Sequence, residues 1–283
     1  MNWEETIIYI QDKKEYQKLI SDAYLSIDLK QNVNAYKISP EFIEVLRLLS
    51  EYSEGTNKNL LDIGSGNGIS ALSFALNGYK TTAFEPDPSS IVGYNAIKKL
   101  KNVYKINNLD VFNGYGENIP FEDNSFDIVF VRQTLHHAQN LQKFINEAHR
   151  VLKKGGIFFS VRDHVIYNKK DKEKFLKTHP LNKFYGGENA FTKNEYITGI
   201  KNSGLTLIKE FSHFDTVINY HPLTKEEIES EVLNSDIQKF VNIKQRFGNL
   251  IFNIYKRLLY AKYGNPFKEK NILGRLYSFI AKK

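Results

Sequence analysis

The 283-residue chain contains no cysteine. Disulfide bonds, thiolate metal sites, iron–sulfur clusters and catalysis by a cysteine nucleophile are therefore excluded. The chain also lacks any apolar run near the roughly 20 residues that cross a bilayer. Its first residues, Met1 to Glu5, include acids where a secretory signal would carry lysine or arginine. We therefore expect a cytoplasmic protein.

The most informative motif is a glycine-rich segment that follows an apolar run. Residues 60–68 read LLDIGSGNG, with glycines at alternate positions 64, 66 and 68. A dinucleotide fingerprint would need its third glycine at position 69, which is Ile69. The pattern predicts a strand that turns sharply into a helix and leaves its backbone open to a ligand.

Strands and helices alternate after residue 50, which predicts an α/β fold with a doubly wound, mostly parallel sheet. We predict a helix over 3–29, and one that begins at Ser39–Pro40 and ends near Ser50. Further helices are predicted over 69–76, 89–100, 141–152 and 192–202, and strands over 60–63, 80–84, 103–106, 126–131, 157–161 and 205–211. This divides the chain into an N-terminal helical cap (1–50), a core (51–220) with an insertion (163–191), and a basic helical extension (221–283).

Glu85 ends the second predicted strand, about 17 residues after the last glycine of the loop. A carboxylate at that place can accept hydrogen bonds from both hydroxyls of a ribose, because its two oxygens match a vicinal diol. The alternative is a solvated acid at a strand end. Since the glycine loop lies at the right distance, we favour the ribose role.

Three further motifs follow in order: ENIPFEDNSFDIV over 117–129, LHH over 135–137 and RVLKKGG over 150–156. Together with the glycine loop they resemble class I S-adenosylmethionine (SAM) methyltransferases of the type 11 family, which act on small molecules. The resemblance covers residues 58–162. It implies a seven-stranded Rossmann-like sheet, SAM as the cofactor and S-adenosylhomocysteine as the product.

The resemblance also implies roles for individual residues. Around the methionine end of SAM it places Asp62, Gly64 and Gly66, and it gives the ribose to Glu85. The residues before Glu117, which are Tyr115 and Gly116, flank the adenine, and Arg132 and Gln133 face the methionine carboxylate. The predicted cofactor-binding set is completed by Ser65, Asn67, Pro86 and Glu117. The chain departs from the family at Tyr115–Gly116, where many relatives carry an Asp–Ala pair, so stacking on Tyr115 is expected to replace a polar adenine contact.

Candidates for the chemistry follow the fourth and fifth predicted strands. They are His136, His137, Asp163 and His164. A histidine there can act as a general base, and a neighbouring carboxylate can set its tautomer. For the histidine pair we favour a role in which at least one of them orients its own loop. The alternative for Arg162–Asp163–His164, with equal weight, is a charged loop that neutralises itself. A metal site built from these four residues is a further alternative, but no spacing specifies it, and we expect none.

The insertion at 163–191 is predicted to cover the acceptor as a lid. An ordered surface loop is the alternative interpretation of the same residues. Its polar groups and the arginine before it form the predicted acceptor-binding set: Arg162, His179, Tyr185, Glu188 and Asn189. The resulting hypothesis is O-methylation of a small polar, anionic or sugar-linked molecule, in a bacterial surface-polysaccharide or secondary pathway. The alternative is a SAM-binding protein without catalysis.

The net charge of +7 is unevenly placed: most of the chain is slightly acidic, whereas residues 239–283 hold eleven lysines or arginines and one acid. Apolar residues recur there at helical spacing: Phe247, Ile251, Ile254, Leu258 and Leu259. We favour a helix packed on the core with a basic outer face. A helix that lies on an anionic (inner) membrane surface ranks second, and nucleic-acid binding ranks third.

Overall fold

The computed structural model describes residues 1–53, 59–185, 187–232 and 237–283. Its centre is one sheet with the strand order β3-β2-β1-β4-β5-β8-β7, to which β6 adds a short pairing with β5. Neighbouring strands from β3 to β5 are parallel, and β8 is antiparallel to both β5 and β7. The strands are β1 (Asn59–Ile63), β2 (Lys80–Phe84), β3 (Leu109–Phe112), β4 (Phe126–Arg132), β5 (Leu152–Ile166), β6 (Phe191–Thr192), β7 (Thr206–Phe211) and β8 (Arg275–Lys282).

Helices cover both faces of this sheet, as the alternating pattern predicts. Two clusters of buried apolar residues lie against the sheet, one including Phe130 and Phe159 and the other Val129 and Phe158. The helices are α1 (Trp3–Ile10), α2 (Gln17–Asp22), α3 (Leu29–Lys37), α4 (Pro40–Tyr52), α5 (Ile69–Leu76), α6 (Tyr94–Tyr104), α7 (Leu141–Val151), α8 (Lys169–Thr178), α9 (Asn182–Tyr185), α10 (Lys193–Asn202), α11 (Val217–Tyr220), α12 (Lys225–Val232) and α13 (Ile237–Tyr263).

The end of the chain corrects the prediction of a largely helical extension over 221–283. Residues Arg275–Lys282 form β8, which fills the place between β5 and β7. Phe279 and Ile280 are buried. A strand that is covered on both faces shows no alternation of polar and apolar residues. The sequence therefore shows no strand pattern here, and the basic composition around it did not indicate one.

Two other predicted elements are also wrong. The single helix predicted over 3–29 is instead divided, since α1 ends at Ile10 and α2 at Asp22. After α2, Tyr24 has a φ of +57°, and Asp28 caps a new helix by accepting from the backbone N–H groups of Lys30 and Gln31. The third strand is at 109–112 rather than 103–106. Helix α6 continues to Tyr104 and is ended by Lys105, whose φ is +53°.

Residues 220–272 form a compact unit separate from 1–219 with 273–283. Inside this smaller unit, Glu229 accepts a hydrogen bond of 2.5 Å from the Tyr260 hydroxyl and pairs with Lys256. Helix α13 is interrupted at Gly248, which has a φ of +72°. Within the described ranges, the chain has no helix whose length and hydropathy suit a membrane span.

Candidate active site

The glycine-rich loop joins β1 to α5 in a conformation that glycine makes possible. Gly64, Gly66 and Gly68 have φ values of +70°, +53° and +88°, a region that other residues rarely adopt. A Cβ atom on Gly64 would lie 2.1 Å from the Cγ2 atom of Thr134, whereas one on Gly66 would meet nothing within 4 Å. The loop is therefore packed at Gly64 and open at Gly66, where a ligand can approach the backbone.

Glu85, directly after β2, lies against this loop. Its Oε2 accepts a hydrogen bond of 2.7 Å from the Gly66 N–H, and its Oε1 accepts one of 2.9 Å from the Asp87 N–H. Burial raises the pKa of Glu85 to about 7. Each carboxylate oxygen keeps a second lone pair, so Glu85 can hold the loop and still accept from a vicinal diol. Pro86 follows in the connection to α6.

Three other residues of the predicted cofactor set hold the loop from within. The buried Asp62 accepts a 2.6 Å hydrogen bond from the Ser70 hydroxyl, and burial raises its pKa to about 6. The Ser65 hydroxyl donates to the Asp62 carbonyl at 2.7 Å. Asn67 donates through Nδ2 to the carbonyl of Tyr24 in the N-terminal segment. Their direct contact with a cofactor stays a prediction.

The predicted adenine side is the loop between β3 and β4. Glu117 Oε1 accepts from the backbone N–H groups of Gln139 and Asn140, which fastens this loop to the start of α7. A Cβ atom on Gly116 would lie 2.2 Å from the Phe144 ring, so close packing requires glycine there. The ring of Tyr115 is 64% exposed. It is thus available for stacking, and that role stays a prediction.

A buried cluster of two arginines and one glutamate lies beside the glycine loop. Arg132, the last residue of β4, makes a bidentate pair with Glu41 at 2.6 and 3.2 Å and donates to Gln133 Oε1 at 2.9 Å. Arg162 lies 3.5 Å from the same glutamate and donates to the Ile218 carbonyl at 2.6 Å. Two guanidinium groups therefore lie within ion-pair distance of one carboxylate.

This geometry changes the position expected for Arg162. It was predicted to reach the acceptor with the insertion, but its φ of +61° turns the buried side chain toward Glu41. Glu41 itself was missed as a site residue, because Ser39–Pro40–Glu41 reads only as the start of a helix. Thr134 was missed as well. Its hydroxyl donates to the carbonyls of Gly64 and Arg132 and so joins β4 to the glycine loop.

The predicted chemical residues do come together at the carboxyl ends of β4 and β5. Asp163 Oδ1 accepts from the His136 backbone N–H at 3.1 Å and lies 3.0 Å from His136 Nδ1. The Ser160 hydroxyl donates to Asp163 Oδ2. Burial raises the pKa of Asp163 to about 7 and lowers the pKa of His136. Because the carboxylate accepts at Nδ1, the Nε2 lone pair of His136 is directed away from Asp163.

His164 and His137 are oriented by backbone carbonyls. His164 Nδ1 donates to the Gly274 carbonyl at 2.8 Å, and His137 Nδ1 donates to the Gly187 carbonyl at 3.1 Å. The ring centroids of His136 and His164 are 4.8 Å apart. Asp163 and His164 pair with Tyr277 and Leu276 of β8. The chain terminus, predicted to lie outside the core, therefore braces the site.

The insertion completes the cluster with a carboxylate and a fourth imidazole. Glu188 Oε2 is 3.8 Å from His136 Nε2, and Glu188 Oε1 is 3.8 Å from His179 Nδ1. The ring of Phe175 packs on His164 and His179. Asn189, next to Glu188, is half-buried. The side chain of Tyr185 lies outside the described residues, so its predicted acceptor contact stays a prediction.

Comparison with known proteins identifies the family. A family model for a methyltransferase domain matches residues 61–160. MJ1123 of Methanocaldococcus jannaschii is 30% identical over 166 residues, which cover 56% of this chain and 72% of that protein. The chain belongs to the class I SAM-dependent methyltransferases, in the type 11 family.

Two further relatives of this methyltransferase are YcgJ and UbiE. The uncharacterized methyltransferase YcgJ of Bacillus subtilis is 35% identical over 112 residues, 37% of this chain and 40% of YcgJ. The ubiquinone/menaquinone biosynthesis C-methyltransferase UbiE of Rickettsia felis is 29% identical over 174 residues, 60% of this chain and 67% of UbiE. The chain thus spans under half of YcgJ.

Solved structures show the same fold. Geranyl diphosphate C-methyltransferase of Streptomyces coelicolor, solved with Mg²⁺, geranyl diphosphate and S-adenosylhomocysteine, has a TM-score of 0.56 at 12% identity. The match covers 85% of this chain and 78% of that one. The cofactor of the methyltransferase is SAM. The open space at Gly66 and the carboxylate of Glu85 beside it fit a nucleoside that approaches the loop backbone.

Proposed function

We propose that this methyltransferase transfers the SAM methyl group to an oxygen atom of a small polar acceptor. The observation that carries the proposal is the group of imidazoles and carboxylates at the carboxyl ends of β4 and β5. His136, Asp163 and Glu188 are all buried or nearly so, and they lie on the edge of the sheet where such folds bind ligands. Bound SAM supplies an electrophilic methyl group on its sulfonium sulfur.

The histidine–carboxylate group can prepare the acceptor for this transfer. With Nδ1–H held by Asp163, His136 presents its Nε2 lone pair as a base for an acceptor hydroxyl. The deprotonated oxygen forms a bond to the methyl carbon while the carbon–sulfur bond breaks, and the electron pair stays on sulfur. The proton is held by His136 and passes to solvent after the product is released. The relatives include a C-methyltransferase, so transfer to carbon is the competing chemistry.

The position of the arginine pair supports a place for the methionine carboxylate. Arg132 and Arg162 share one acid, Glu41, in a buried position beside the strand that leads to the loop. We assign Arg132 to the methionine carboxylate of SAM rather than to the acceptor, because Arg132 closes β4, the neighbour of β1. The acceptor then needs no negative charge.

An assay with labelled SAM and a panel of acceptors tests the reaction. Sugars, alcohols, phenols and hydroxy acids represent O-methylation, and quinols represent transfer to carbon. Formation of S-adenosylhomocysteine with a methyl ether as the product is the expected result. A product methylated on carbon would replace the oxygen assignment. Tight SAM binding without S-adenosylhomocysteine for any acceptor would favour the alternative of a non-catalytic SAM-binding protein. A surface-polysaccharide pathway is the setting we propose for sugar acceptors.

We propose in addition that α13 attaches the protein to an anionic membrane surface. In this helix Leu250, Ile254 and Leu258 recur every four residues and are 75%, 51% and 66% exposed. Basic residues of the same helix include Lys244, Arg246 and Arg257. Exposed apolar and basic groups together suit an anionic lipid interface.

Co-sedimentation with vesicles tests the attachment. Binding to vesicles with phosphatidylglycerol, absent with phosphatidylcholine alone and lost in Leu250→Ser/Leu258→Ser, is the expected result. The control is Lys268→Ala, which lies outside the helix. Phe252 is not a suitable control position because it is buried. Equal binding to both vesicle types, or none to either, would contradict the attachment.

A further inference from the structure

We propose that His136, His164 and Glu188 form a binding site for a divalent transition-metal ion of the zinc type. One ligand atom from each of these residues lies within 4.8 Å of the other two. Two residues follow or end neighbouring strands, and the third comes from the insertion. The site differs from the four-residue set considered from the sequence, because Asp163 and His137 face other groups.

Both histidines are oriented as metal-binding histidines usually are. In metal sites the second ring nitrogen donates to a carboxylate or a backbone carbonyl, which fixes the tautomer and directs the lone pair at the ion. Asp163 Oδ1 lies 3.0 Å from His136 Nδ1, and the Gly274 carbonyl lies 2.8 Å from His164 Nδ1. A carbonyl oxygen only accepts, so His164 carries its proton on Nδ1. The Nε2 atoms of both rings are left as lone-pair donors.

The distance between His136 and Glu188 points to a cation as well. Their Nε2 and Oε2 atoms are 3.8 Å apart, which is too long for a hydrogen bond. Ligands that are bound to one tetrahedral zinc at about 2.0–2.2 Å lie about 3.3–3.6 Å from each other. Small side-chain rotations therefore bring these two acceptors onto one ion. The buried His179 Nδ1 lies 3.8 Å from Glu188 Oε1, beside the three ligands and not among them.

The ligand chemistry selects the class of ion. Two imidazoles and one carboxylate are typical of Zn²⁺, Fe²⁺ and similar ions, whereas Mg²⁺ prefers oxygen ligands alone. Three protein ligands leave a coordination position open, as in catalytic metal sites. The function of the ion rests on the proposed methyl transfer. At the open position it would bind the acceptor oxygen and lower the pKa of its hydroxyl, with His179 in place of His136 as the group that receives the proton.

Titration of the full chain with Co²⁺ and Zn²⁺ after removal of bound metal by a chelator tests the site. We expect one ion per chain, with the visible absorption of four- or five-coordinate Co²⁺, displaced by Zn²⁺. His164→Gln and Glu188→Gln should each weaken binding about tenfold or more, and Asp163→Asn about 10–100-fold through the orientation of His136. His149→Gln, on α7 and outside the site, is the matched control and should bind as the unchanged chain does.

Two results would overturn the site: less than one ion per chain at saturating Co²⁺, or affinity unchanged in both His164→Gln and Glu188→Gln. SAM calorimetry on the same preparations reports separately on the cofactor loop and on folding. Loss of metal with SAM affinity retained supports the site. Metal binding without methyl transfer to any acceptor would refute the proposed function and leave the site standing.

Discussion

Asp163 accepts two hydrogen bonds from one residue, His136: one from the backbone N–H at 3.1 Å and one from the ring Nδ1 at 3.0 Å. The carboxylate therefore fixes both the position of the 3-10 turn Leu135–His137 and the tautomer of its first histidine. Asp163 acts through His136, so it is a positioning residue.

We predict that Asp163→Asn lowers kcat about 100-fold, the range typical of general acid–base catalysis, and leaves the Kd for SAM within about twofold. The amide removes the charge that holds the His136 tautomer. Steady-state kinetics with a responsive acceptor, together with SAM calorimetry, separate the two effects. Ser160→Ala, which removes only a hydroxyl donor to Asp163, should give a smaller loss. A SAM affinity that falls as much as kcat would move Asp163 into the cofactor site.

Gly64 and Gly66 form a matched pair, because both have positive φ but only one is enclosed. Gly64→Ala places a Cβ atom against Thr134, and this clash adds to the energetic cost of a left-handed backbone conformation. We therefore expect a strong decrease in the midpoint temperature of thermal unfolding. Gly66→Ala has the same kind of backbone cost without the clash. It should keep most of the stability and lose SAM affinity. Differential scanning calorimetry and SAM titration distinguish the two variants. Equal destabilisation of both would contradict the open space at Gly66.

Arg150 joins α7 to the segment that precedes β4. It donates to Glu147, to Asp123 and to the carbonyls of Ile119 and Phe121. Arg150→Lys cannot keep this fork of bonds, and we expect a loss of about 2 kcal/mol in the free energy of unfolding. Arg47→Lys, with two acids on the exposed face of α4, should leave the free energy of unfolding nearly unchanged, because solvent screens exposed ion pairs. Denaturant unfolding measures both, and equal losses would refute the role of Arg150.

The ion pair between Arg150 and Glu147 predicts a pH dependence of stability. The hydrogen bond from Arg150 lowers the pKa of Glu147. Its stabilising contribution is therefore complete above the ordinary glutamate pKa and disappears as the pH falls through the lowered value. The stability difference between Arg150→Lys and the unchanged chain should narrow in acid, measured by urea unfolding at pH 7 and pH 4. If the difference in the free energy of unfolding widens in acid, the prediction is wrong.

Strand β8 makes a prediction that a helical extension would not. Phe279 is fully buried between β5 and β7, so Phe279→Ala should cost about 3–5 kcal/mol of stability and weaken SAM binding at ordinary temperature. The exposed Lys268→Ala, also in the basic terminus, should change neither. If Phe279→Ala leaves both stability and SAM affinity unchanged, then β8 is not part of the core.

The parts that could be predicted from the sequence are those whose cause is local. The turn at Gly64–Gly68 follows from glycine spacing, and α4 follows from Ser39 and Pro40 at its start. What was missed depends on residues far apart in the chain. Glu41 meets Arg132 across 91 positions, and Gly274 meets His164 across 110. No local pattern encodes such pairs.

The central claim, a SAM site built on the glycine loop and Glu85, is tested most directly by calorimetric titration of SAM into the unchanged chain and Glu85→Ala. The unchanged chain should bind one SAM. Glu85→Ala loses the bond to Gly66 N–H and the ribose acceptor that we propose, so its Kd should rise by more than about tenfold, or about 1.4 kcal/mol. An unchanged Kd in Glu85→Ala, or no SAM binding by the unchanged chain, would contradict the account.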